Sequence, residues 1–358
     1  TISASEHAMR ALTVRPGTAD SLQLEDVPEP DRASGRVLVR ALALGICGTD
    51  REIVEGKFGT APPGQSRLIL GHESLGRVEE SPAGSGFATG DLVVGIVRQP
   101  DPEPCVNCAA GEWDMCRNGR YTEHGIKERD GFGAELWRID PAFAIKIDPA
   151  LGHLGVLLEP ASVVAKAWEH TERIGRRSVW EPQRVLVTGA GPIGLLAALF
   201  AVQRGLELHV LDRATSGIKP ELVRALGGTY HSGSASDVGF AADIVFECTG
   251  APSVVMDVIG CNSPNGIVCL AGVSAAGAKT LVDAGALNRT IVLENEVVFG
   301  SVNANRRHYA AAAEALVRAD RSWLERLVTR RVPLSRWREA LELRPGDVKT
   351  ILDFTLSA

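Results

Sequence analysis

Cys47, His72 and Glu159 are the residues of this 358-residue chain whose types and settings point most directly to chemistry. Cys47 stands in Gly45-Ile46-Cys47-Gly48-Thr49-Asp50, and His72 in Gly71-His72-Glu73, directly after the apolar run Leu68-Ile69-Leu70. Taken alone, Cys47 reads as a small buried apolar residue, and the His-Glu pair as loop decoration. Glu159 allows no such plain reading. It lies in the apolar run GVLLEPASVV, where an unpaired carboxylate is costly to bury and so needs a cation or several donors. A thiolate, an imidazole and one or two carboxylates form the ligand set of a zinc site with an open position. The spacing is long, so only the fold can bring them together.

A second cluster, Cys105, Cys108 and Cys116, has short spacings. Seven cysteines is an odd count for a disulfide scaffold in a chain this long, and the clustering points to metal binding in a reducing compartment.

The third chemical signal is Val185 to Leu196, VLVTGAGPIGLL. A strand-like run ends in Gly189-Ala190-Gly191-Pro192-Ile193-Gly194, and an apolar helical pattern follows. Gly189 permits the turn off the strand, Gly191 lets the backbone approach a pyrophosphate, and Gly194 allows close helix–strand packing. The helix N-terminus offers N–H groups to the phosphates. Asp212, eighteen residues beyond Gly194, ends a second strand where a carboxylate holds the adenosine ribose. The same carboxylate would repel the 2′-phosphate of NADP by about 4 kcal/mol, taking ~4 Å and an effective dielectric of ~20. Arg213 offsets part of that, so NAD is expected in preference to NADP.

The elements that must carry these residues fall into two kinds. Met9 to about Ile147 is rich in strand-like runs punctuated by Gly and Pro, as in a barrel-like β domain. From Val185 to about Phe299 strands alternate with helical patterns, including a helix from Lys219 to Leu226, which predicts a parallel sheet covered on both faces. A helix over Val163–Arg173 leads into that unit. A helix over Tyr309–Arg318 and a short strand, TILDFTL, follow it and are expected to return to the first domain. The length suits two domains. The formal net charge of −6 gives no basic footprint for nucleic acid, and no apolar run is long enough to span a bilayer.

CGTD, GHE, LEP and GAGPIG, in this order, resemble the zinc-dependent medium-chain dehydrogenase/reductase superfamily. Within it the chain is similar to archaeal-type glucose dehydrogenases through EHGIKERDGFGAE, LLEPASVVAKAWEH, ECTGAP and VDAGALNRTIVLENEVVFGSVNANRRHY. The resemblance implies an α/β chain with a barrel-like, GroES-like catalytic domain, residues 1–162 and 302–358, around a doubly wound Rossmann coenzyme domain, residues 163–301. It implies catalytic zinc at Cys47, His72 and Glu159, with Glu73 as ligand or near-ligand, and Thr49 receiving the substrate proton. Glu123, Asn303 and His308 are the implied sugar contacts. Gly189, Gly191, Pro192, Ile193, Gly194, Asp212, Arg213, Thr249, Gly250, Val273 and Asn303 are the implied cofactor contacts. The implied activity is NAD(P)-linked oxidation of an aldose such as D-glucose to its lactone, in a cytoplasmic homodimer or homotetramer. Asp130 and Gly133 depart from the pattern of close glucose dehydrogenases, which leaves another polyol or secondary alcohol open as substrate. A zinc-free quinone or enone reductase shares the fold but would lack the Cys47, His72 and Glu159 set.

The cysteine lobe also departs from the pattern. Relatives carry C-x2-C-x2-C-x7-C for a structural zinc, whereas here the first position falls on Pro102. Cys105, Cys108 and Cys116 leave one tetrahedral corner open. Among nearby carboxylates Asp114 is the favoured fourth ligand, with Asp101 and Glu103 as alternatives.

Overall fold

The computed structural model describes residues 8–275, 277 and 279–356. Residues 1–7, 357 and 358 of the expected catalytic domain lie outside them. The described residues form two compact units, one drawn from 1–162, 303–317 and 328–358 and the other from 163–302 and 318–327.

The first unit is built around the strand Val37–Ile46, a nearly continuous apolar run with most side chains buried. It pairs antiparallel with Glu73–Glu80, with Lys349–Asp353 and, toward its start, with Leu136–Ile139. Leu92–Gly95 and Ala144–Lys146 extend this seven-stranded sheet on one side and Val328–Pro333 on the other. Two three-stranded sheets complete the β domain. The register has a direct chemical consequence. Gly45 lies opposite Glu73 on one flank and Ile351 on the other, so Cys47, at the end of the central strand, lies near the starts of both neighbours.

The second unit is a six-stranded, wholly parallel sheet in the order 229–231, 207–211, 184–188, 242–247, 262–270, 297–300. This is the doubly wound Rossmann arrangement, with the order reversing beside Arg184–Thr188. Its inner strands are apolar along their length because helices cover both faces. The helix Pro192–Gln203 starts three residues before the expected apolar pattern, with Pro at its first position, and is buried from Gly194 to Ala201.

Two differences from expectation affect the site. The helix predicted over Val163–Arg173 begins at Leu158, so Glu159 sits in its first turn. After the helix Arg306–Arg318 the chain makes a further helix, Arg321–Leu327, and the strand Val328–Pro333, neither of which the apolar pattern revealed. Among the described residues no helix is long and apolar enough to cross a membrane.

Candidate active site

The sheet register gathers the candidate ligands. Ligand atoms of His72, Glu73 and Glu159 lie within 4.8 Å of one another, and so do those of Cys47, Asp50 and His72. His72 Nε2 is 3.1 Å from Cys47 Sγ, while Nδ1 faces Asp50 Oδ1 at 3.3 Å. A carboxylate behind the imidazole fixes the ring and leaves the other nitrogen free to ligate a metal. Asp50 is fully buried, and its second oxygen accepts the Cys47 N–H at 2.8 Å, which braces the ligand loop. Thr49 is half-buried between these two residues, in the first turn of the helix Gly48–Val54.

The electrostatics fit a divalent cation. Burial opposes charge on His72, but Cys47 and Asp50 outweigh it and hold the imidazole well above its usual pKa. Burial pushes Glu159 up to about 7, opposed by His72 and reinforced by Glu73. Lys349 is buried and ion-paired with Glu73. Three buried carboxylates and a thiol therefore share one lysine and one imidazole. Such a donor set, with an acidic excess in a desolvated space, fits zinc. Asp50 and Lys349 are the residues that the sequence reading missed. Asp50 stands in CGTD three residues after Cys47, but nothing in the local pattern ties Lys349 to Glu73, 276 residues earlier.

The Gly-rich turn fits a dinucleotide. Gly189 has φ +90°, and a Cβ on Gly194 would lie 1.8 Å from the Gly189 carbonyl oxygen, so helix and turn are as close as glycine permits. A Cβ on Gly191 would meet nothing within 4 Å, which leaves open space over the turn for the pyrophosphate. Asp212 accepts N–H bonds from Ala190 at 2.7 Å and Ala214 at 3.0 Å, and Lys219 Nζ stands 3.4 Å away. Burial opposes ionisation of Asp212, but these donors hold its pKa below the usual carboxylate value. Arg213 is exposed. Thr249 and Gly250 are held by the fully buried Glu247, which accepts both backbone N–H groups and also faces Thr188. Gly250 packs on the Val273 backbone, and the Val273 side chain is exposed.

Two of the candidate sugar contacts meet. Asn303 Nδ2 donates to Glu123 Oε1 at 2.6 Å, and Arg98 donates to the same oxygen at 3.0 Å. His308 is buried nearby in sequence, and its Nδ1 accepts the Asn305 N–H at 3.1 Å. Asp130 and Gly133 have structural roles. Asp130 Oδ1 caps the Ile69 N–H at 2.9 Å, and a Cβ on Gly133 would lie 2.5 Å from the Leu70 carbonyl oxygen.

The lobe thiols of Cys105, Cys108 and Cys116 lie within 4.8 Å of one another, and no carboxylate joins that group among the described residues. Asp114 is not brought to them. Its Oδ1 accepts from Asn305 at 2.7 Å. Asp101 accepts from Glu103 N and Asn118, and Glu103 pairs with Arg120. The backbone N–H groups of Arg117, Cys108 and Asn107 draw Cys105 down to about 6. Burial pushes Cys108 up to about 11, with both neighbouring thiols adding to the rise. Three soft ligands are supplied, and each of these carboxylates is engaged by another partner.

The description "Glucose dehydrogenase C-terminus" matches residues 152–354, and "Alcohol dehydrogenase GroES-like domain" matches residues 33–149. A glucose 1-dehydrogenase of Methanocella arvoryzae is 39% identical over 96% of this chain and 99% of its own. This chain belongs to the glucose dehydrogenase family. A second relative, glucose 1-dehydrogenase 2 of Vulcanisaeta moutnovskia, is 40% identical over 98% of this chain and all of its own. The solved glucose dehydrogenase of Haloferax mediterranei, in complex with NADP, Zn and gluconolactone, superimposes with a TM-score of 0.89 at 31% identity, covering 98% of this chain and 100% of that one. The family thus spans both units, and its two-part architecture is the one built here: a GroES-like β domain and a Rossmann coenzyme domain.

Proposed function

We propose that the protein is a zinc-dependent sugar dehydrogenase that oxidises an aldose such as D-glucose to its lactone with NAD or NADP. The observation that carries this reading is the buried cluster of Cys47, His72, Glu73 and Glu159, with its acidic excess and its orienting Asp50. Zinc bound there supplies Lewis acidity toward a substrate hydroxyl, and the nicotinamide supplies the hydride acceptor. The chain's own residues do the rest. Cys47, His72 and Glu159 hold the metal, Glu73 adjoins them, and Asp50 keeps His72 in register. Thr49 Oγ1 receives the proton that leaves the hydroxyl and passes its own hydroxyl proton outward, acting as a relay. Glu123, Asn303 and His308 bind and orient the sugar. Gly189, Gly191 and Gly194 shape the pyrophosphate turn, with Pro192 and Ile193 opening the helix. Thr249, Gly250, Val273 and Asn303 complete the cofactor contacts. The lobe thiols hold a second zinc.

Asp212 favours NAD through its like-charge repulsion of a 2′-phosphate, while Lys219 and Arg213 soften that repulsion enough to retain NADP use. We also infer a homodimer or homotetramer in a reducing cytoplasm. The helix Ala284–Leu293 buries none of its residues although Val292 and Leu293 are apolar, beside the edge strand Val297–Gly300, and all seven cysteines are free. The catalytic and coenzyme domains divide near residues 162 and 302.

The test is steady-state kinetics on aldoses and polyols with both cofactors. D-Glucose or another aldose should give the highest specificity constant, with NAD above NADP, and Asp212→Gly should reverse that order. Turnover confined to secondary alcohols would overturn the substrate class. A wild type that favours NADP would show that Lys219 and Arg213 govern the pocket.

A further inference from the structure

The cysteine lobe and the segment that carries Asn303 and His308 are joined by a buried polar bridge centred on Asp114. Asp114 lies in the turn Trp113–Met115, directly before Cys116, and is almost fully buried. It reaches the candidate sugar site by two routes. Its side-chain Oδ1 accepts from Asn305 Nδ2 at 2.7 Å, and Asn305 in turn donates its N–H to His308 Nδ1. Its backbone carbonyl accepts from Arg98 Nη1 at 3.0 Å, and Arg98 holds Glu123 through Nε and Nη2, each 3.0 Å from Oε1. Arg98, Asn305, Glu123 and His308 are all buried, so none of these bonds is diluted by solvent. A third tie is peripheral: Glu112, just before the turn, pairs with Arg307 at 2.9 Å.

The segment receiving these bonds is one that needs holding. Asn303 has φ +64°, a conformation rare outside glycine, and persists because Glu123 and the Ala304 N–H engage its two side-chain atoms at 2.6 and 2.7 Å. Residues held this way lose their placement when a neighbouring anchor goes. We propose that Asp114 is a positioning residue for the sugar site rather than a metal ligand: it locks residues 303–308 to the cysteine lobe and so sets sugar affinity. This rests on the reading of Glu123, Asn303 and His308 as sugar contacts.

The variants Asp114→Ala and Asp114→Asn separate the two roles. A metal ligand would lose its metal in both. A hydrogen-bond acceptor loses its function in the first and keeps it in the second, because the asparagine carbonyl oxygen can still accept from Asn305. Three readouts are compared with wild type: zinc per chain, amide hydrogen exchange of residues 303–308, and kinetics on D-glucose. For Asp114→Ala the expected result is unchanged zinc, faster exchange in 303–308, and KM raised about tenfold with kcat little altered, as for lost uniform binding. Asp114→Asn should restore exchange and KM to near wild type. If Asp114→Ala fails to fold, Asn305→Ala removes the other end of the same bond and should give the same exchange and KM pattern. Loss of about one zinc per chain in Asp114→Asn would overturn the proposal in favour of ligation. Unchanged exchange and KM in the alanine variant would overturn it outright. Should the wild type oxidise no aldose, the functional reading fails, while zinc content and exchange still decide the bridge.

Discussion

Two thiol-bearing sites lie in the same β domain, and they are built from opposite materials. Around Cys47 the surroundings are ionisable side chains taken out of water: Asp50 at 0% exposure, Lys349 at 1%, Glu73 at 2% and His72 at 6%. Around Cys105 the stabilising groups are backbone N–H donors, while burial and the neighbouring thiols act on Cys108, and Cys105 and Cys116 are half-exposed. Buried ions cost several kcal/mol each unless each meets a partner, so the first cluster is held in a narrow balance that a bound cation completes. At the lobe, neutral amides serve the Cys105 sulfur, so that thiol depends less on such a balance. Removing a group from the first site should therefore be severe, and from the second mild.

The largest effect expected is from His72→Ala. It removes a ligand and leaves Asp50 buried without its partner. Turnover should fall by on the order of a thousandfold or more, because several kcal/mol of Lewis-acid stabilisation are lost. Near-ultraviolet circular dichroism should stay close to wild type, as the ligands project from strand and helix ends rather than from the hydrophobic core. Zinc analysis with kinetics checks it. A variant that keeps most of its activity with the metal gone would remove the cluster from the mechanism.

How far each site could be read from sequence follows from the same contrast. The lobe thiols span twelve residues, so their spacing alone points to a cluster, and nearness along the chain is also what favours Asp114 as its fourth ligand. Proximity along the chain did not reveal that its carboxylate turns to Asn305, nearly 200 residues away. The buried cluster comes from strand ends and a helix start scattered between Cys47 and Lys349, so only the short motifs around Cys47, His72 and Glu159 point to it. Lys349 was out of reach, since its role depends on a strand pairing beside Val37–Ile46 that no periodicity encodes. The parallel sheet was legible because strands buried on both faces read as continuous apolar runs. Arg321–Leu327 and Val328–Pro333 were not, because charged residues interrupt both.

An intermediate effect, on stability rather than chemistry, is expected from Lys349→Met. The methionine fills similar space but leaves Glu73 a buried carboxylate without its cation. Losing one partner of a buried pair costs about 3–5 kcal/mol. Denaturant titration of the zinc-free protein should show most of that loss, and zinc-loaded protein less, because the metal can then offset the stranded charge. Combining Lys349→Met with Glu73→Gln should recover part of the stability. A loss below about 1 kcal/mol in the zinc-free single variant would mean that Glu73 reaches water, against its burial.

The smallest effect on turnover should come from Cys108→Ser in the lobe. Serine keeps the volume but is a poor ligand for a soft cation, so zinc content should fall by about one per chain. The bonds from Asp114 to Asn305 and Arg98 do not pass through the sulfur and should largely survive. Changes in kcat should stay within about twofold, with only a modest rise in KM as the turn Trp113–Met115 loosens, because uniform binding alone is weakened. Metal analysis and kinetics on the same preparation read both quantities. A fall in kcat comparable to that of His72→Ala would erase the distinction between the sites and make the lobe part of the chemistry. Unchanged zinc would instead show a lobe that holds no metal, a packing unit whose nearness to the sugar segment is its whole contribution.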